Sequence, residues 1–252
     1  MKPRTILATA IILASSLNLT YAQDGDTQMF LIHEDLVIPA QSFKYMETTG
    51  KLKQAMVDNN IATMGFNTFW LNDNTWWFVR PIQSYAELDE PPMKELFDKM
   101  GEDNAGALFS GFNGTYHEHR NFVAVFHPSL SYKPEGLQEP GNNYREWMYL
   151  YYDDTDQEAM IDVMKEWKAL YESKGIEHGY TVYTAGFGHY GPVIVIHTWA
   201  ENEVSHAQAG EDSMAKLGEE RMELFGKTMP LIQKQETKRG MLMPDHSYMP
   251  QQ

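Results

Sequence analysis

The sequence predicts an α+β fold: two tandem ferredoxin-like units, each ordered β-α-β-β-α-β. Two observations carry this. The chain repeats itself: Met29-Phe30-Leu31-Ile32-His33-Glu34-Asp35 aligns with Met148-Tyr149-Leu150-Tyr151-Tyr152-Asp153-Asp154, and His127-Pro128-Ser129-Leu130-Ser131-Tyr132-Lys133-Pro134 with Met243-Pro244-Asp245-His246-Ser247-Tyr248-Met249-Pro250, at a nearly constant offset. Each copy also shows the same succession of hydrophobic periods. The unit has roughly 105 residues, the length of a small domain rather than a solenoid repeat.

The first unit opens with an apolar strand over residues 29–33. A helix follows from about Pro39, a residue suited to a first helical turn, with Tyr45, Leu52 and Met56 on one face. Strands over 63–71 and 75–80 flank Asn72-Asp73-Asn74, a turn by composition. Ser84-Tyr85-Ala86-Glu87 has the pattern of a capping box; Pro91-Pro92 interrupts the helical region, which resumes over 93–100. A strand over 121–126 closes the unit.

The second unit repeats the order. A strand over 145–152 precedes Thr155-Asp156-Gln157-Glu158, a second capping-box pattern. Met160, Val163, Met164, Trp167, Leu170 and Tyr171 form an apolar helical stripe, stopped by Lys174-Gly175. Strands over 180–187 and 193–199 flank a glycine-rich turn, helical segments run over 202–226, and the last strand spans 234–243. The expected division is a signal peptide at 1–22, a first repeat at 23–134, a Pro/Gly/Asn-rich linker at 135–144 and a second repeat at 145–252.

The leader reading rests on Lys2 and Arg4, the short apolar run 6–17, and Ala22 at the cut. The run is too short to span a bilayer comfortably. An exported protein, periplasmic or extracellular, is expected, with no membrane attachment after cleavage. There are no cysteines, which excludes disulfides, iron–sulfur clusters and thiol catalysis. With 35 acidic against 20 basic residues, the net charge of −15 repels phosphate backbones, so nucleic acid is not an expected partner.

A β-α-β-β-α-β unit covers one face of its sheet with helices and leaves the other bare. The same face of the second repeat is the most economical cover. With this duplication and these aromatic-rich strands, the chain resembles the dimeric α+β barrel superfamily, which includes antibiotic-biosynthesis-type monooxygenases, NIPSNAP-like and EthD-like proteins, haem-degrading monooxygenases and chlorite dismutases. The resemblance spans about residues 29–250. It implies a monomeric pseudo-dimer, open to higher association, that binds a small apolar or aromatic molecule between sheet and helices. It also implies either cofactor-independent, monooxygenase-like chemistry or haem handling. A non-enzymatic docking or stress-related barrel is the third reading.

Candidate pocket residues are His33, Trp70, Trp77, Arg80, Tyr152, Tyr183 and His197. Aromatic walls with few polar tips suit planar ligands, although the same rings equally fill a barrel core. Strand alternation sets Trp77 opposite Trp76 and Phe78, so these rings do not share one cavity. His33, with Tyr152 in the matching place, and Arg80 or His197 end strands where a base or a haem ligand would act. No cofactor is required by any motif. His117 and His119 would point the same way on an extended segment, but two ligands are too few for a zinc site. Glu34-Asp35 and Asp153-Asp154 follow the first strands, where acids favour the positive end of a helix. Because the repeats differ at these positions, at most one should retain a working site.

Overall fold

The computed structural model of the protein describes residues 27–134 and 141–250. The expected leader and residues 135–140 of the expected linker lie outside the described residues. Eight strands carry the architecture: β1 (Gln28–Val37), β2 (Asn67–Leu71), β3 (Thr75–Ile82), β4 (Tyr116–Phe126), β5 (Tyr144–Tyr151), β6 (Thr181–Ala185), β7 (Val193–Ala200) and β8 (Lys234–Leu242). Six helices accompany them: α1 (Ser42–Asp58), α2 (Lys94–Met100), α3 (Glu102–Ser110), α4 (Gln157–Lys174), α5 (Glu203–Leu217) and α6 (Glu220–Thr228).

The strands close into one barrel in the order β1-β3-β2-β8-β5-β7-β6-β4, with every neighbour antiparallel. Each half supplies four consecutive strands in ferredoxin-like order. Closure abolishes the free edges that two separate sheets would expose. The halves meet at two short seams. Phe69, Trp70 and Leu71 of β2 pair with Leu242, Met241 and Gly240 of β8, and Ala124, Val125 and Phe126 of β4 pair with Ala185, Thr184 and Tyr183 of β6. The bridges Phe66–Tyr248 and Tyr132–Tyr180 extend the seams and are one another's counterparts.

Alternation along the strands makes two kinds of core. Inward side chains such as Ile32, Leu71, Trp77, Phe122, Trp147, Tyr149 and Val195 fill the barrel. Outward ones pack under helices. In the second half Leu150, Tyr152, Val182 and Ile194 meet Met160, Val163 and Met164 of α4. In the first half Phe66 and Tyr248 meet Leu52 and Met56 of α1 and Leu96 of α2.

Three expectations are corrected. The first strand runs four residues past His33, so Glu34 and Asp35 are buried inside β1 rather than set before a helix. The helix-capping reading holds for Asp153, whose side chain accepts from the Thr155 amide; α4 begins beyond it, and Thr155 makes no capping box. The capping box at Ser84–Glu87 is formed, but on a single 3-10 turn.

Backbone pairing also resets the register between repeats. Because the two bridges match, Thr68 corresponds to Val182 and its partner Phe78 to Ile196. Phe78 pairs with His33, and Ile196 pairs with Met148. The counterpart of His33 is therefore Met148, not Tyr152. His197 corresponds to Val79, one residue from Arg80, which places Arg80 and His197 on opposite faces of the sheet.

Candidate functional site

A cavity of about 660 Å³ lies between the outward face of β1, β3 and β4 and the helices of the first half. Leu52 from α1, Phe66, Phe78, Met93 and Phe109 from α3 make it largely apolar. Most of its polar groups enter from the strands, His33 and Asp35 from β1, Arg80 from β3, Tyr116 and Asn121 from β4, and Glu90 and Asn113 join them from loops. The two-residue strand period puts His33 and Asp35 side by side on this face.

The Nε2 of His33 stands 3.1 Å from Oδ1 of Asp35, and its Nδ1 is 2.9 Å from Oδ1 of Asn121. The Asp35 carboxylate is only 4% exposed. Its Oδ2 accepts a hydrogen bond from the Tyr45 hydroxyl at 2.5 Å, whereas Oδ1 has the off-line ion-pair contact with His33 and no well-formed hydrogen bond. A buried carboxylate oxygen left in this state has strong demand for a proton donor. Tyr45 comes from α1, where burial on the helix's inward face fixes it against Trp76 and Phe112.

The electrostatics follow from these contacts. Burial, the largest single influence, pulls the His33 pKa down. The close contact and charge of Asp35, together with Asn121, outweigh it and leave the pKa above 6.5. Both partners present oxygen to the ring, so both favour its protonated form. His33 is thus a stronger base than an ordinary histidine and sits at a half-exposed place where it can exchange protons. Burial and then the Asp35 charge push Tyr45 well above the usual phenol range, and Tyr116 upward by the same two causes. Arg80 is mostly buried, with Nη1 3.9 Å from Oε2 of Glu87.

In the second half the strand register puts Met148, Leu150 and Thr198 at the places of His33, Asp35 and Arg80, and the matching starts of α1 and α4 put Met160 at that of Tyr45. Met160 and Leu150 belong to a buried apolar cluster with Met148 packed against it. The polar set is specific to the first repeat.

The residues singled out from the sequence are distributed over five places. His33 and Arg80 line this cavity. Trp77, Tyr183 and His197 face the barrel interior. Trp70 lies on the outward face, half-exposed and stacked on Trp76 with ring centroids 6.1 Å apart. Tyr152 is buried in the core under α4. His117 and His119 are exposed on β4, and among the described residues no three metal-ligating side chains gather. Sequence reasoning missed Asp35, Tyr45, Tyr116 and Asn121 as site residues. A strand extended through His33-x-Asp35 was the available signal for the first of them.

Haem fits poorly at either expected histidine. At His33 an iron would have to displace Asp35 from Nε2. At His197 the interior cavity is about 270 Å³, below the ~300–1,000 Å³ usual for drug-sized ligands. The donor set suits a ligand held without iron.

No protein-family model matches the sequence, and no curated protein aligns with it. Solved structures do resemble it. One described as an anthrone oxidase-like protein matches with TM-score 0.54 and 11% identity, over 86% of this chain and 92% of that one. A protein from Lactobacillus acidophilus NCFM described as a monooxygenase matches with TM-score 0.52 and 11% identity, over 88% and 99%. Another so described, from Fusobacterium nucleatum subsp. nucleatum, matches with TM-score 0.53 and 8% identity, over 87% and 94%. At these identities the likeness is one of fold, and together with the closed eight-strand barrel it shows that this chain has the fold of the dimeric α+β barrel superfamily, with both halves in one polypeptide.

Proposed function

We propose that the first-repeat cavity binds a small, largely apolar carbon acid and that His33, held at Nε2 by Asp35, takes a proton from it at Nδ1, displacing the contact with Asn121, in a cofactor-independent, monooxygenase-like reaction. The observation that carries this reading is the Tyr45–Asp35–His33 chain set into the wall of an apolar cavity and replaced by Met160, Leu150 and Met148 in the other repeat. Proton abstraction from an activated methylene gives a carbanion that molecular oxygen can oxidise. One oxygen atom then forms the carbonyl of the product, the other leaves as water, and no external reductant is needed. Arg80 and Asn121 are placed to hold the oxygen on which the negative charge develops. The apolar walls limit water, which strengthens those contacts.

An anthrone is a suitable probe, since its methylene is flanked by two aromatic rings and conjugated through them to the carbonyl across the central ring, which takes up the negative charge when the proton leaves. Oxygen uptake with anthrone should fall by about 10²-fold or more in His33→Ala, mainly through kcat. Uptake that is unchanged by His33→Ala sinks the proposal. A Soret shift on adding hemin that disappears in the same variant would replace it with a haem-binding site.

Export is a separate part of the proposal, supported by the basic, apolar and small-residue pattern at residues 1–22. N-terminal sequencing of the protein recovered from the periplasm or medium should begin at Gln23. Recovery from the cytoplasm with Met1 intact argues against it.

A further inference from the structure

The barrel interior holds a second cavity, of about 270 Å³, on the opposite face of the sheet from the first. Its wall is rich in aromatic side chains, Phe30, Phe126, Trp147 and Tyr183 among them. Its polar groups include Thr181, His197 and Arg145 of the second repeat, with Asn67 of the first and Lys133, whose Nζ is 5.7 Å from the centre of the Trp199 ring.

The pseudo-symmetry shows what is unusual here. The register that equates His33 with Met148 and Phe78 with Ile196 equates Phe30 with Arg145 and Val79 with His197. The first repeat fills these two inward places with apolar side chains, which suffice for a core. A guanidinium and an imidazole in the same places cost desolvation unless something compensates them.

His197 is incompletely compensated. Its Nδ1 is 2.9 Å from the Thr181 hydroxyl, and its ring is stacked on Trp147 with centroids 5.3 Å apart and 19° between planes. Its Nε2 is buried and has no hydrogen-bond partner, on a residue that lines the cavity. Buried polar atoms in folded proteins almost always have one. In the tautomer in which the Thr181 hydroxyl donates to Nδ1, Nε2 carries the N–H. Burial, then the charges of Arg145 and Lys133, hold the ring neutral, and those same charges favour an anion over a cation at this end of the barrel.

We infer that the barrel interior is a second binding site, for a single-ring aromatic carboxylate. The carboxylate accepts from Nε2 of His197 on the side of Arg145, and the ring lies among Phe30, Phe126 and Tyr183. The cavity volume limits the ligand to about one ring. This site is independent of the reaction assigned to the first cavity.

Calorimetric titration of the full chain with benzoate tests it, with Trp fluorescence as a second signal. One equivalent should bind. Benzyl alcohol, which keeps the ring and loses the charge, should bind at least about tenfold more weakly. His197→Val, which restores the side chain of the first repeat, should weaken benzoate by a similar factor. His197→Gln, which still offers an N–H, should retain more affinity than His197→Val, and Arg80→Met should leave affinity unchanged. Near-UV circular dichroism verifies that each variant is folded. The inference is overturned if benzoate shows no saturable binding in the millimolar range to folded protein, or if a crystal soaked in benzoate holds only an ordered water on Nε2. Binding lost in Arg80→Met and kept in His197→Val also overturns it, because the ligand is then in the other cavity.

Discussion

His33 and Asp35 stand two residues apart on one face of β1, with Nε2 of the imidazole 3.1 Å from Oδ1 of the carboxylate. The contact raises the basicity of His33 against the opposing effect of burial. In Asp35→Asn the charge is gone while burial remains, so the His33 pKa should fall below its wild-type value. An NMR titration of the His33 ring reads this directly, and an unmoved pKa would show that Asp35 does not tune it. Any oxygen uptake that depends on His33 should fall with it.

The hydroxyl of Tyr45 has a structural share in the same chain. Tyr45→Phe leaves Oδ2 of a nearly inaccessible carboxylate without its donor. Leaving such a group unsatisfied costs about 1–3 kcal/mol. Denaturant unfolding should show a loss of that size with an unchanged m-value. A neutral result would mean that water replaces the hydroxyl.

The second repeat supplies its own control. Carrying its residues into the first repeat gives His33→Met, Asp35→Leu and Tyr45→Met together. Replacing all members of a buried polar set by apolar groups is often neutral or stabilising. The triple variant should melt at the wild-type temperature or above it and lose all His33-dependent activity. Such a result marks the polar set as retained for function at the expense of stability. A variant that unfolds would instead give the set a structural role.

These residues also show how much was legible in the sequence. The closed barrel was, because element order, alternation and the duplicated ends pointed the same way. The exact reach of β1 was not. Glu34 and Asp35 have poor strand propensity, and only tertiary contacts, the Trp77 indole donating to Glu34 and the Tyr45 hydroxyl to Asp35, keep them in the sheet. Helix α3 was missed because Glu102-Asp103-Asn104 opens it with no apolar period, and Ala105 alone is buried in it. The repeat alignment misled at His33. Similar side chains suggested Tyr152, whereas the hydrogen-bond register gives Met148; β1 has 10 residues and β5 has 8, and sequence similarity does not place that difference.

Stability should fall as the pH drops below about 6.5, and His197 should account for part of it. Burial, the first cause, and the charges of Arg145 and Lys133 depress its folded-state pKa well below 6.5. The unfolded chain then binds a proton that the folded chain does not. Stability is complete above the unfolded value and is lost below it, by at most about 1.4 kcal/mol per pH unit for one such proton. His127, His189 and His246 are also depressed by burial and act in the same direction. His33 is raised and acts in the opposite one, its contribution being present below 6.5 and lost as pH rises through its folded value. Melting curves from pH 7 to pH 5 should slope less steeply in His197→Gln. An identical slope would mean that His197 takes up a proton in the folded state.

The barrel closes at the β2–β8 seam only because Gly240 has no side chain. It pairs with Leu71, and a Cβ added there would lie 2.5 Å from the Trp70 carbonyl oxygen and 3.0 Å from the Leu71 Cα. Those are backbone atoms of the partner strand, so a rotamer change cannot relieve the clash. Gly240→Ala must push the strands apart at a seam of three residue pairs. The expected destabilisation is about 1–3 kcal/mol, the usual effect of overpacking. Hydrogen exchange should show it first in the amides of β2 and β8, while β5–β7 stays protected. Uniform loss of protection across all eight strands would instead mean that the barrel opens as one cooperative unit, with the seam no weaker than the pairings inside each half.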